Sequence, residues 1–158
     1  MNQRVESSGK KLTAYVDGSF NVNEGRYGFG CVFIEEDGTV TEKLGSNCNE
    51  ESAKLRNVTG EMLGSMYAVK WAMLNGFSEI RIFYDYTGIE FWATGKWKTN
   101  NDLTRKYAAS MREWSEKIRI SFEKVEAHTG VKYNEMADKL AKRAIEEKIP
   151  IPDLKEKA

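Results

Sequence analysis

The chain has 158 residues, 41% of them apolar and 11% aromatic, which suits one folded domain and excludes a disordered chain. No apolar run in the sequence is long enough to span a bilayer. The 24 basic residues balance the 24 acidic ones, so nucleic-acid binding would need a local patch or bound metal ions. Cys31 and Cys48, the only cysteines, favour a reduced protein, and we expect a cytoplasmic location without membrane attachment.

The first half of the chain opens with a polar segment and then shows strand patterns. Thr13, Tyr15 and Asp17 alternate with apolar residues, which indicates a strand with two different faces. Further strands follow, and a hairpin signal joins the second to the third. The predicted strands cover residues 12–19, 28–35 and 39–45, and they form three antiparallel neighbours.

The second half alternates between helices and strands. A helix from about residue 61 to 75 places Glu61 at its start, where the macrodipole favours a carboxylate. A short apolar strand then delivers Asp85 at its C-terminal end, where ligands bind in open α/β sheets. The remaining predictions are a strand at 79–84, helices at 88–94 and 102–117, a strand at 118–125 and a helix at 133–145.

These elements predict an α/β domain with a five-stranded mixed sheet, in which three antiparallel strands precede two further strands and helices flank the sheet. We expect the domain to cover residues 11–146. Residues 1–10 are predicted to be a flexible tail, and residues 147–158 a charged, frayed C-terminal tail.

Four acidic residues in separate contexts point to chemistry: Asp17, Glu61, Asp85 and Asp138. Each alone has an ordinary explanation, such as a turn aspartate, a first-turn glutamate or a solvent-facing helix charge. Together, carboxylates at strand ends and helix starts are costly unless cations compensate them. Two divalent metal ions would do so and would suit hydrolysis or transfer of a phosphodiester. Hard oxygen ligands favour Mg²⁺, with Mn²⁺ as an alternative ion.

Other polar residues accompany these carboxylates. Gly18 permits close approach of a ligand to the backbone beside Asp17, and Ser19 follows it. His128, the only histidine, lies in a glycine-containing loop, where it could relay protons near neutral pH or serve as a packing residue. Asn134 precedes Asp138 by one helical turn and shares its face.

One local patch combines basic and aromatic residues. Lys96, Trp97 and Lys98, with Arg105 and Lys106 nearby in sequence, could offer a phosphate and stacking surface. The alternative is a solvated helix end with the tryptophan packing inward. The other tryptophans fit apolar helix faces and are predicted to be core: Trp71, Trp92 and Trp114.

The combined motifs resemble ribonuclease H of type 1. They are Asp-Gly-Ser on the first strand, Asn-x-x-x-Glu at the first helix, Tyr-Asp after the fourth strand, and His-x-Gly followed by Asn-Glu-x-x-Asp at the last helix. The similarity runs from about Lys11 to Ile145 and favours the bacterial branch with Arg-Asn-Val-x-Gly-Glu and Tyr-Asp-Tyr. It implies the ribonuclease H-like fold and a monomeric endoribonuclease that hydrolyses the RNA strand of RNA/DNA hybrids with two Mg²⁺ ions, leaving 5′-phosphate and 3′-hydroxyl ends.

The resemblance also implies roles for single residues. Asp17, Glu61, Asp85 and Asp138 match the metal-binding carboxylates, and His128 matches a loop histidine that assists water activation or product release. Asn23 and Asn57 match positions that contact the strand bearing 2′-hydroxyls, and Asn134 matches an asparagine near the metals.

The sequence also departs from that pattern. Val58 stands where many relatives have a polar residue, Thr59 and Gly60 replace bulkier residues, and the basic protrusion is reduced to residues 95–101, which predicts weak substrate binding. Two other readings are a DNA-directed nuclease or integrase of the same superfamily and a catalytically silent hybrid-binding module. The expected signature of a silent module is the loss of a carboxylate, and the sequence retains all four.

Overall fold

Five strands form one mixed sheet in the computed structural model, which describes residues 9–48, 57–126 and 132–154. The spatial order is β3-β2-β1-β4-β5. The first three strands pair antiparallel, and β4 lies parallel to both β1 and β5, so the predicted mixed sheet is confirmed. The strands are β1 (Lys10–Asn21), β2 (Arg26–Glu35), β3 (Val40–Cys48), β4 (Phe77–Tyr84) and β5 (Arg119–Lys124).

Helices cover both faces of this sheet. The first packs on β1, β2 and β4, with the next two beside it, and the last packs on the opposite face against β1, β2 and β3. The helices are α1 (Asn57–Leu74), α2 (Gly88–Thr94), α3 (Asp102–Trp114) and α4 (Lys132–Glu146). Within the described ranges, none of the helices is both long enough and apolar enough to cross a membrane.

The alternation in β1 sets the two faces of the sheet. Leu12, Ala14 and Val16 are fully buried in the main core beneath α1. Tyr15 points to the other face and packs in the smaller cluster beneath α4. Because side chains alternate along a strand, Asp17 projects from the α4 face in the second half of β1, just beyond the part that pairs with β4.

Two glycines let helices approach the sheet closely. A Cβ on Gly60 in α1 would lie 2.0 Å from the carbonyl oxygen of Gly28, and one on Gly30 in β2 would lie 2.2 Å from the carbonyl oxygen of Ala137 in α4. Neither backbone atom can move aside, so both positions need glycine. Gly60 comes directly before Glu61, and Ala137 comes directly before Asp138. Both close contacts therefore set the positions of predicted site carboxylates.

The structure corrects two expectations. α1 begins at Asn57, so Glu61 lies beyond the first turn instead of at the helix start. The segment between α4 and Leu154 is packed on the domain instead of frayed. The Ser46 N–H donates to the carbonyl oxygen of Ile149 at 2.7 Å. Ser46 also forms a parallel bridge with Pro150, and Ile151 and Leu154 pack against the main core.

Candidate active site

Glu61 is a carboxylate buried at the junction of α1 and β4, with a side chain 4% exposed. The N–H of Asp85 donates to its Oε2 at 2.7 Å, and the N–H of Tyr86 donates to its Oε1 at 3.3 Å. Both donors belong to the turn that follows β4. Glu61 is therefore oriented by this turn, and the helix-start explanation drawn from the sequence is wrong.

Burial dominates the ionisation of Glu61. Loss of solvent, assisted by the nearby Asp17 and Asp85 carboxylates, raises its pKa to about 8, although the two backbone N–H groups oppose the shift. A free carboxylate in this place is thus protonated over much of the neutral range. A cation bound here would favour the ionised form instead.

Asp17 lies half-buried near the end of β1. The N–H of Gly18 donates to its Oδ1 at 2.9 Å. Burial is the largest cause of a rise in its pKa to about 7, and the carboxylates of Asp138 and Asp85 raise it further. Interaction with the Asp138 side chain thus couples the ionisation of Asp17 to a residue of α4.

Asp85 and Asp138 form the more accessible half of the group. Asp85 is exposed directly after β4, at the carboxyl end of the strand. Asp138 lies on α4, half-exposed, with the Nζ of Lys142 3.1 Å from its Oδ2. The four predicted carboxylates therefore meet where β1 and β4 end, although they lie 44, 24 and 53 residues apart in sequence.

The donor chemistry of this group fits hard divalent cations, because every candidate ligand is a carboxylate and two of them have raised pKa values when no cation is bound. Within residues 9–48, 57–126 and 132–154, however, no three acidic, histidine or cysteine side chains converge closely enough to enclose one ion. The structure thus gathers the carboxylates without arranging them as a preformed cage.

The other predicted site residues occupy different surroundings. Gly18 and Ser19 lie in the last part of β1 beside Asp17, and Asn23 is exposed in the turn before β2. Asn134 is half-buried on α4, one turn before Asp138. Asn57 is the first residue of α1, but its side chain is outside the described part of the structure, as is the whole of His128.

An aromatic cluster, defined here as Tyr86, Phe91, Trp92 and Trp97, follows Asp85. Trp97 contacts the other three rings at centroid distances of 5.5 to 6.1 Å, yet it remains 38% exposed. Tyr86 is 40% exposed, and the Nζ of Lys96 lies 5.0 Å from the ring centroid of Phe91. Lys96 and Lys98 are both exposed.

Sequence patterns indicated Trp97 as the candidate stacking residue of this segment, but they did not predict its contacts with the other three rings. Trp92, predicted to be core, does pack against the main core, but it also contacts Tyr86 and Trp97 at 5.8 and 5.9 Å. Trp97 packs against these rings and also stays 38% exposed, so it has features of both sequence interpretations. The available signal was the density of aromatic residues among lysines in the segment 86–98.

Comparison with known proteins agrees with this architecture. The RNase H family model matches residues 9–146. Ribonuclease H of Chlorobium luteolum is 28% identical over 155 residues, which cover 88% of this chain and 98% of the relative. Among solved structures, RNase H1 from the halophilic archaeon Halobacterium salinarum NRC-1 has a TM-score of 0.73 at 27% identity, with 87% of this chain and 98% of that chain covered.

A further solved structure, LC11-RNase H1 in complex with an RNA/DNA hybrid, has the same fold. Its TM-score is 0.71 at 19% identity, and the match covers 87% of this chain and 98% of that one. Fold and relatives together define an enzyme of the ribonuclease H class. The chain belongs to the RNase H family, since the family model covers most of its length.

Proposed function

We propose that the chain is a type 1 ribonuclease H, an endonuclease that hydrolyses the RNA strand of RNA/DNA hybrids with two Mg²⁺ ions and leaves 5′-phosphate and 3′-hydroxyl ends. The observation that carries the proposal is the gathering of four carboxylates, two of them with pKa values raised by burial and by one another. The hybrid bound by LC11-RNase H1 supports the same class of substrate, since the two chains share a fold.

Asp17, Glu61, Asp85 and Asp138 would hold the metal ions. When bound there, such ions would supply a nucleophilic water at neutral pH and would neutralise charge on the scissile phosphate. The protein contributes orientation, because the Asp85 and Tyr86 N–H groups fix both oxygens of Glu61 before any substrate arrives. Asp17 and Glu61 must lose protons when they ligate a metal, so binding releases protons to solvent.

Selection of the hybrid is a matter of shape and of the 2′-hydroxyl. Asn23 and Asn57 are proposed to contact the RNA strand, with Gly18, Ser19 and Asn134 close to the scissile phosphate. The aromatic cluster is exposed at Trp97 and Tyr86 and carries Lys96 and Lys98 beside it, which suits stacking and phosphate contacts with the other strand. His128 is proposed to relay protons during water activation or product release.

The protein is further proposed to act as a monomer in the cytoplasm. The second point is supported by the two free cysteines, Cys31 buried and Cys48 exposed. Neither point depends on the carboxylate group.

Cleavage of a hybrid whose RNA strand is labelled at its 5′ end tests the proposal. In Mg²⁺ we expect cuts confined to the hybrid, with single-stranded RNA and duplex DNA intact, and Asp85→Asn should abolish them. Asp37→Asn is the matched control, because it makes the same chemical change at an exposed position outside the carboxylate group. Asp37 lies in the turn before β3, near Lys10 at the start of β1. Binding without cleavage would favour the silent module, and cleavage of duplex DNA would favour a DNA-directed nuclease.

A further inference from the structure

Two phenol groups fasten the short helix α2 to its surroundings. Tyr84, the last residue of β4 and 2% exposed, donates from its hydroxyl to Glu90 Oε1 at 2.5 Å. Tyr107 on α3 is fully buried and donates to the carbonyl oxygen of Ile89 at 2.7 Å. Consecutive residues of α2 are thus tied to β4 on one side and to α3 on the other.

The turn between these anchors carries the donors that orient Glu61. Asp85 and Tyr86 give their N–H groups to the two oxygens of Glu61. The carbonyl oxygen of Tyr86 in turn accepts from the N–H of Ile89 at 2.9 Å. The hydrogen bond between Tyr84 and Glu90 therefore joins the two sides of this turn, and Glu61 accepts hydrogen bonds from the two N–H groups in its middle.

The Tyr84–Glu90 contact is chemically stronger than packing requires. Phenylalanine would fill nearly the same volume as Tyr84, so the hydroxyl is present for its hydrogen bond. A bond from a neutral hydroxyl to a carboxylate is charge-assisted and short, stronger than one between neutral groups. The half-buried Glu90 directs this oxygen to β4 and not into solvent.

We propose that the Tyr84–Glu90 hydrogen bond is a positioning device that fixes the turn at Asp85 and Tyr86 so that both N–H groups meet Glu61. The same bond sets the place of α2, and with it Phe91 and Trp92 of the aromatic cluster, relative to the carboxylates. Tyr84 and Glu90 act through Glu61 and Asp85 and are positioning residues, with no contact to reacting atoms. The part of this inference that concerns metal affinity rests on the proposed function.

The test compares Glu90→Ala, Tyr84→Phe and Glu90→Gln, since glutamine keeps an oxygen that can accept from Tyr84. Tyr67→Phe is the control, because Tyr67 is also a buried tyrosine of the main core but lies on α1. The first readout is amide hydrogen exchange at Asp85 and Tyr86 in metal-free protein. The second is calorimetric titration with Mg²⁺, and the third is the division of any activity loss between kcat and KM.

Glu90→Ala and Tyr84→Phe should speed exchange of both amides by about tenfold, the equivalent of one hydrogen bond to a charged group. They should also weaken Mg²⁺ binding by about tenfold, the lower end of losses for groups that support metal ligands. We expect the loss of activity to fall mainly on kcat. Glu90→Gln keeps an acceptor without the charge, so its losses should be clearly smaller than those of Glu90→Ala, and Tyr67→Phe should resemble the unmodified protein in all three measurements.

Unchanged exchange at Asp85 and Tyr86 in Glu90→Ala would overturn the proposal, and so would a loss in Glu90→Gln as large as that in Glu90→Ala. The exchange measurement needs no metal, so it judges the positioning role by itself. Failure of the unmodified protein to bind Mg²⁺ would instead count against the proposed function. If Glu90→Ala unfolds, Tyr84→Phe, which preserves core volume, decides the question through the same exchange readout.

Discussion

The carboxylate group has two halves that differ in burial. Its more buried half is Glu61 and Asp17, and its more accessible half is Asp85 and Asp138. The buried half is bound by backbone N–H groups of Asp85, Tyr86 and Gly18, and burial raises the pKa of both its members. In the accessible half, Asp85 is exposed and Asp138 pairs with Lys142. The difference indicates that the buried half governs how stability responds to pH, whereas the accessible half can be changed at little cost to folding.

The largest expected effect comes from neutralising one member of each half in turn. Glu61→Gln and Asp138→Asn should each lower the rate of hybrid cleavage by about a thousandfold or more, because each removes the charge of a proposed metal ligand. Glu61→Gln should change the pH dependence of stability more than Asp138→Asn does, since Glu61 is buried with a raised pKa of its own, whereas Asp138 acts only by raising the pKa of Asp17. Steady-state kinetics and thermal denaturation from pH 5 to 9 measure the two effects. Equal changes in the pH dependence of stability in both variants would contradict the difference between the two halves.

The next effect concerns the packing that positions the buried half. Gly60→Ala should lower the free energy of unfolding by about 3 kcal/mol, because the new Cβ would meet the Gly28 carbonyl oxygen and force α1 away from the sheet. Urea denaturation measures the loss. Lys70→Ala, an exposed change in the same helix, should stay within about 0.5 kcal/mol of the unmodified protein. A Gly60→Ala protein as stable as the control would contradict the close approach.

A smaller effect is expected at the accessible surface. Trp97→Ala should weaken hybrid binding by about tenfold, within the range for loss of one stacking side chain, while Mg²⁺ binding to the free protein stays the same. Fluorescence anisotropy with a labelled hybrid gives the affinity. Val40→Ala, another exposed apolar residue on β3, is the matched control. A parallel loss of Mg²⁺ affinity would show that the aromatic cluster acts through the carboxylates.

A separate prediction concerns the pH dependence of stability in metal-free protein. The pKa values of Asp17 and Glu61, about 7 and about 8, lie above the unfolded values near 4, so the folded state binds more protons between those limits. The contribution of these groups is fully present below about pH 4 and is lost as pH rises through 7 and 8. Melting temperature in EDTA should therefore decline as pH rises from about 4 to about 8, and millimolar Mg²⁺ should remove much of the decline. A rise with pH in EDTA would refute the assignment.

Local patterns sufficed for much of the fold. The alternation around Tyr15 and Asp17 identified β1, and the helix predicted at 133–145 matches α4 within one residue at each end. Features that depend on contacts between residues distant in sequence could not be predicted from local patterns. The donors to Glu61 lie 24 and 25 residues further along the chain, and nothing beside Glu61 in the sequence indicates them. The packing after α4 depends on Ser46, which lies 103 residues before Ile149.

The contacts of Ser46 have a consequence for the open edge of the sheet. Its hydroxyl lies 2.9 Å from the carbonyl oxygens of both Ala144 and Ile149, and Ile151 crosses beside Gly45. β3 is an edge strand, and an uncovered edge is a template for pairing with a strand of another molecule. The segment 149–154 covers this edge at Gly45 and Ser46, and it also fastens the end of α4, the helix that carries Asp138. A single set of contacts thereby covers part of an edge that is open to pairing and fixes the helix that carries a proposed metal-binding carboxylate.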